Sequence, residues 1–144
     1  MPSINKSVVV PYSPAQMYTL VNDINAYPEF INWCEKSEIL SQDADEIKAT
    51  LHLSVGGLQK SFTTRNRLQP NKMIEMRLVD GPFHHLEGFW IFETDGDNHC
   101  KIRFELEFEF SNKLMGIAAG PVFSQMTLGL VDAFSQRAQE VYGT

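Results

Sequence analysis

The sequence predicts an α+β fold, a seven-stranded curved antiparallel sheet wrapped around a long C-terminal helix, with two short helices after strand 1. Three observations carry this. From Asn112 to Tyr142, apolar residues recur at Leu114, Ile117, Ala118, Val122, Phe123, Met126, Leu130, Phe134, Ala138 and Val141, mostly three and four apart. From Lys36 to Phe110 the apolar period is two, with turn signals between successive runs. Short turns make neighbouring strands antiparallel, and an apolar sheet face must be covered. The C-terminal helix is the only element large enough to do so. A curved sheet need not fill its own concavity, so a ligand cavity is a natural product of the arrangement.

The elements follow in order. Ser3 to Val10 is rich in β-branched residues and reads as a strand that Pro11 ends. Ser13-Pro14 is a helix start, with serine as cap and proline in the first turn, and Ala15 to Val21 continues it. A second short helix covers Ile24 to Tyr27, and Phe30 to Trp33 turns. Strands follow at Ser37–Ser41, Ile47–Val55, Leu58–Leu68, Met73–Val79, Phe83–Thr94 and Ile102–Phe110. Gly56-Gly57 and Asp95-Gly96-Asp97-Asn98 are hairpin signals. On Phe83–Thr94, Phe89 and Ile91 have outward parity, so either a bulge at Gly88 resets the phase or the outer face carries an apolar patch. In the final helix, Gly116, Gly120 and Pro121 predict a break near Gly120, with the straighter helix from about Pro121. That stretch is also a candidate gate.

The 144 residues suit one domain, residues 1–144, and 43% hydrophobic content supports a core without disulfides. No uninterrupted run of about eighteen apolar residues indicates a transmembrane helix. The N-terminus lacks the apolar stretch of a signal peptide. Cys34 and Cys100 form no disulfide framework, so a reducing, cytoplasmic setting is expected. The net charge of −6 disfavours nonspecific nucleic-acid binding, and no DNA partner is expected. The charge is unevenly spread. Lys60, Arg65, Arg67, Lys72 and Arg77 cluster before Val79, whereas Glu87, Glu93, Asp95, Asp97, Glu105, Glu107 and Glu109 follow it.

Catalytic signatures are absent: there is no phosphate loop, dinucleotide fingerprint, HExxH or nucleophile elbow. Of the histidines, His52 points outward, His99 sits beside a turn, and adjacent His84 and His85 face opposite ways on a strand. No metal site follows from them. Cys34 reads as a buried structural thiol. His84 facing inward is the sole basis for an acid or base, as a cyclase or hydrolase acting in the cavity would need.

Three segments, YPEFINWCEKSEIL (Tyr27–Leu40), GPFHHLEGFWIFE (Gly81–Glu93) and VDAFSQRAQEVYG (Val131–Gly143), resemble the coenzyme-Q-binding START-domain family. That family lies in the START/Bet v1-like, polyketide cyclase-like helix-grip superfamily, and the resemblance spans nearly the whole chain. Its bacterial members include proteins named as ribosome association toxins. The resemblance implies a helix-grip fold without enzymatic activity or cofactor. The implied ligand is ubiquinone or a related isoprenoid lipid, bound in support of respiration. The implied ligand-binding positions are Trp33, Phe83, Leu86, Trp90, Phe104, Phe123, Met126, Leu130 and Phe134. It equally implies the alternative role of binding the large ribosomal subunit and blocking subunit association, for which Lys60, Arg65 and Arg67 form the candidate face. A lipid carrier would make transient contact with the surface of the inner membrane.

Overall fold

A computed structural model describes residues 2–55 and 58–143. The hairpin signal at Gly56-Gly57 lies outside the described residues. Strand β1 (Ser3–Val10) leads into helix α1 (Pro14–Asn22) and a 3-10 helix (Ile24–Glu29). Strands β2 (Cys34–Gln42), β3 (Glu46–Val55), β4 (Leu58–Gln69), β5 (Met73–Asp80), β6 (Phe83–Thr94) and β7 (Cys100–Phe110) follow, then helices α2 (Lys113–Leu128) and α3 (Leu130–Tyr142). The sheet order is β1-β7-β6-β5-β4-β3-β2, antiparallel throughout. Six strands thus form a meander, and β1 closes against the last of them.

Local chemistry sets the boundaries. Ser13 Oγ accepts from the Gln16 N–H (3.1 Å), while Gln16 Oε1 accepts from the Ser13 N–H (2.8 Å). This reciprocal capping box, with Pro14 next to it, starts α1 at the expected residue. Asn112 Oδ1 accepts from the N–H groups of Leu114 (2.8 Å) and Met115 (3.2 Å) and starts α2. On β7, Ile102, Phe104, Leu106, Phe108 and Phe110 are buried, alternating with charged residues as the period of two requires.

The long helix departs from expectation in two ways. Its interruption lies at Gly129, not near Gly120. Pro121 withdraws the hydrogen bond that would reach the Ile117 carbonyl, but Ile117 is 77% exposed and that carbonyl can meet water. Gly120 carries no Cβ to clash with the proline ring, so α2 runs through. Near the other end, the Thr127 hydroxyl donates to the carbonyls of Phe123 (2.9 Å) and Ser124 (3.2 Å), and Gly129, a weak helix former, follows.

The second departure concerns which side of α2 is buried. Ala119, Gly120, Phe123, Met126 and Thr127 face the sheet, while Leu114 (78% exposed), Ile117 and Val122 face out. No charged residue lies between Leu114 and Val131, so apolar spacing alone fits either face. An 18-residue window within Lys113–Tyr142 has a mean hydropathy of 1.5, long and apolar enough to cross a membrane by composition; here a third of it is buried in the fold.

Strand β6 keeps its phase through Gly88. The irregularity lies between Phe83 and His85 instead, and Phe89 and Ile91 are half-buried on the outer face. Glycine is required at 88 by close approach. A Cβ there would sit 2.8 Å from Met76 Cε and 3.0 Å from the Glu105 carbonyl.

Two phenylalanines join helix to sheet. Phe123 packs against Phe108 (4.7 Å between ring centres) and Phe83 (5.2 Å). Phe134 meets Trp90 (5.3 Å), Tyr27 (5.4 Å) and Phe30 (5.4 Å), tying sheet, 3-10 helix and α3 together. The end of α3 is fixed by Tyr142 Oη donating to the Gln16 carbonyl (2.9 Å), and a Lys6–Asp132 ion pair (3.0 Å) holds its first turn. Phe134→Ala should therefore lower unfolding stability in urea by about 3–5 kcal/mol, while Ile117→Ala should change it by no more than about 0.5 kcal/mol.

Candidate functional site

Between the concave sheet face and the helix lies a cavity of about 70 Å³. The 3-10 helix gives it Ile24 and Tyr27, and the following turn gives Trp33. The strands supply Ala49, Leu51, Phe62, Thr64, Asn66, Met76, Leu86, Trp90, Phe104 and Leu106, and the helices Phe123, Thr127, Leu130 and Phe134. Trp90 and Phe104 stack at 4.3 Å and form one wall. Of the positions named from the sequence, Trp33, Leu86, Trp90, Phe104, Phe123, Leu130 and Phe134 are brought together here. Phe83 is not in the lining; it stacks on Phe110 (4.7 Å) in the aromatic layer beside Phe123. Met126 turns into a separate groove of about 320 Å³ between the Phe30–Trp33 turn and the helix interruption. Trp33 and Leu130 line both spaces and form the wall between them.

Sequence reasoning missed the polar members of the lining. Thr64 and Asn66 share the inward parity of Phe62 on β4 and are 8% and 7% exposed. The Thr64 hydroxyl donates to Asn66 Oδ1 at 2.9 Å. The signal available was the alternation itself, which places both residues on the face that Phe62 and Leu68 occupy.

Among the described residues, Tyr27 is the only titratable one in the lining. Its hydroxyl donates to the Val21 carbonyl. Burial, reinforced by Cys34 and Asp23, holds the phenol well above its ordinary range, so it stays protonated and anchors the 3-10 helix. Burial likewise pushes the thiols of Cys34 and Cys100 up to about 11, which leaves little thiolate at neutral pH. His84 is exposed and lies outside the cavity, against the inward placement that acid–base chemistry would require. The irregularity after Phe83 is what turns it out. His85 lies on the outer face, 3.5 Å from Glu107. Among the described residues, no three His, Cys, Asp or Glu side chains gather as metal ligands do.

The convex face is electrostatically divided. Lys48 stands opposite Arg65, and Arg65 opposite Arg77, in one row across β3, β4 and β5. The same row continues through Glu87 to Glu107 on β6 and β7. Arg65 pairs with Glu46 (2.7 Å), and Arg77 with Glu75 (2.9 Å) and Glu87 (3.4 Å). Arg65, Arg67 and Arg77 line a shallow groove of about 340 Å³. Arg67 is exposed and makes no ion pair among the described residues. Lys60 is exposed too, but it stands opposite buried Leu53 with the parity of Phe62, so it does not share the face of Arg65 and Arg67 as the sequence suggested.

The close approach at Gly88 connects sheet packing to cavity size. Gly88→Ala should push Met76 toward the lining or displace β7, at a cost of about 1–3 kcal/mol in urea unfolding.

Comparison with known proteins places this geometry. The chain is 46% identical over 142 residues to the ribosome association toxin RatA of Escherichia coli K12, covering 99% of this chain and 90% of that protein. It is 28% identical over 143 residues to the mitochondrial coenzyme Q-binding protein COQ10 homolog B of Xenopus laevis, covering 96% of this chain and 59% of the relative. The crystal structure of the Zhui aromatase/cyclase from Streptomyces sp. R1128 superposes with a TM-score of 0.86 at 18% identity, over 96% of this chain and 93% of that one, and shares the fold. The sequence model of the family described as polyketide cyclase / dehydrase and lipid transport matches residues 10–135. The chain belongs to this family of START/Bet v1-like, helix-grip proteins.

Proposed function

We propose that the chain is a non-catalytic carrier of an isoprenoid quinone or closely related lipid, held between the sheet and the C-terminal helix in support of respiration. The observation that carries this reading is the cavity lining. It is almost wholly apolar and aromatic, and its one titratable group is a phenol kept protonated. Such a lining favours a long apolar ligand, because burial is worth about 25 cal/mol per Å² of apolar surface removed from water. It offers no acid–base pair for turnover. The relative named as a coenzyme Q-binding protein agrees with this ligand class.

At about 70 Å³ the cavity is smaller than the roughly 150 Å³ that accommodates benzene in an engineered protein core. A quinone ring therefore enters only with movement of the cover. Helix α3 is fixed at its far end, whereas α2 buries one face and is joined to α3 at Gly129. In this reading α2 swings about Gly129 and carries Gly116–Pro121 with it as part of one rod. Its outer face, uncharged from Leu114 onward and carrying Leu114, Ile117 and Val122, suits the membrane surface where such a lipid resides. Organic extraction of the purified native protein should yield an isoprenoid quinone by mass spectrometry, and added ubiquinone should raise the melting temperature. Absence of both effects would refute the carrier reading.

A second reading is favoured by the 46% identity to a ribosome association toxin. Here the convex face, not the cavity, acts. Like charges placed opposite each other at Lys48, Arg65 and Arg77 repel. An RNA phosphate backbone laid over them would relieve that repulsion despite the net charge of −6. Reversing the charges of Lys48, Arg65 and Arg67, which share the convex face, should abolish co-sedimentation with large ribosomal subunits, and binding by the unmodified protein should weaken steeply with salt. Co-sedimentation that survives the triple reversal would remove this face from the contact.

A further inference from the structure

We infer that Asn66 is the head-group recognition residue of the cavity, and that it selects ligands presenting a carbonyl oxygen. The inference rests on the carrier reading and adds to it a specificity-determining side chain. Asn66 is 7% exposed and belongs to the lining. A side-chain amide has two acceptor sites on oxygen and two N–H donors. The Thr64 hydroxyl donates to Asn66 Oδ1 at 2.9 Å, and this is the one hydrogen bond the Asn66 side chain makes among the described residues. The Thr64 contact orients the amide, and Nδ2 is left with both donors unspent beside an apolar space.

The other lining hydroxyls are committed. Thr127 donates to the Phe123 and Ser124 carbonyls, and Tyr27 to the Val21 carbonyl. Neither hydroxyl can offer its proton to a ligand without breaking a bond inside the protein. Nδ2 is not among the fully buried unpartnered side-chain atoms, so it keeps access to open space, and an acceptor that arrives with the ligand can take up its N–H pair. A purely hydrocarbon lipid brings no acceptor. A quinone ring brings carbonyl oxygens on a flat body that also suits the stacked Trp90–Phe104 wall. Thr64 acts as the positioning residue, since its hydroxyl holds the amide with Nδ2 free.

The test compares a short-tailed ubiquinone with squalene, an isoprenoid hydrocarbon without a carbonyl, by melting-temperature shift and tryptophan fluorescence titration. Wild-type protein should favour the quinone. Asn66→Leu keeps similar volume while removing the donors, so quinone affinity should fall on the order of tenfold with squalene binding retained. The unliganded variant should still unfold cooperatively, at a temperature somewhat below wild type, because the Thr64 hydroxyl loses its acceptor. Thr64→Val, which frees the amide to rotate, should weaken quinone binding in the same direction and serves as the second variant should Asn66→Leu fail to fold. Discrimination between the two lipids that is unchanged in both variants overturns the assignment of Asn66 alone. Failure of the wild-type protein to bind either lipid overturns the carrier reading on which it rests.

Discussion

The structure depends on one apolar sheet face having one cover. Strands β5, β6 and β7 of the seven-stranded sheet present Ile74, Leu86, Trp90, Phe104 and Phe108 to the same side, and the C-terminal helices shield them from water. The contact is concentrated at Phe123 and Phe134, about three helical turns apart. Each sits within an aromatic cluster of its own, one toward β6–β7 and one toward the 3-10 helix. The lining that both clusters border includes the small or polar residues Ala49, Thr64, Asn66 and Thr127 beside larger apolar neighbours such as Leu51 and Met76. Large side chains hold the layers apart at two points, and small ones leave the space between them unfilled. The cavity follows from this distribution of side-chain volume on a curved sheet.

Much of this was legible in the sequence because period two is unambiguous where charged and aromatic residues alternate. Strand β7 could be read residue by residue, and the capping box fixed the start of α1. Helix α2 was harder, for a physical reason. With no charge between Leu114 and Val131, both faces of α2 carry apolar side chains, and spacing cannot tell which one meets the sheet. Proline and glycine at 120–121 suggested a break, yet a proline whose lost bond falls on the solvent side is tolerated. The true interruption falls at Gly129, two residues after Thr127 bonds its own helix, a contact that composition does not announce.

The candidate site was legible in its apolar part only. Aromatic positions on β6, β7 and the final helix follow from periodicity and resemblance together. Thr64 and Asn66 were passed over because polar residues on a half-buried strand are ordinarily assigned to the outside. Their parity argued otherwise. Phe83 and Met126 fell away from the lining for a different reason. Parity or helical spacing shows that a side chain points inward, but not which of several interior spaces it meets. His84 was displaced by the irregularity at the start of β6, a one-residue effect that inverts facing.

Strand β4 carries the interior and exterior readings at once. Phe62, Thr64 and Asn66 look into the cavity, and Arg65 and Arg67 look out over the convex face. Consecutive codons therefore answer to unrelated demands, one set by the shape and polarity of an enclosed space and the other by charge in solution. An inherited change at one residue leaves its neighbour's task untouched, so the two surfaces can drift independently along a single stretch of gene. A lineage could refine or abandon one of them while the other stayed intact, with no rearrangement of the fold.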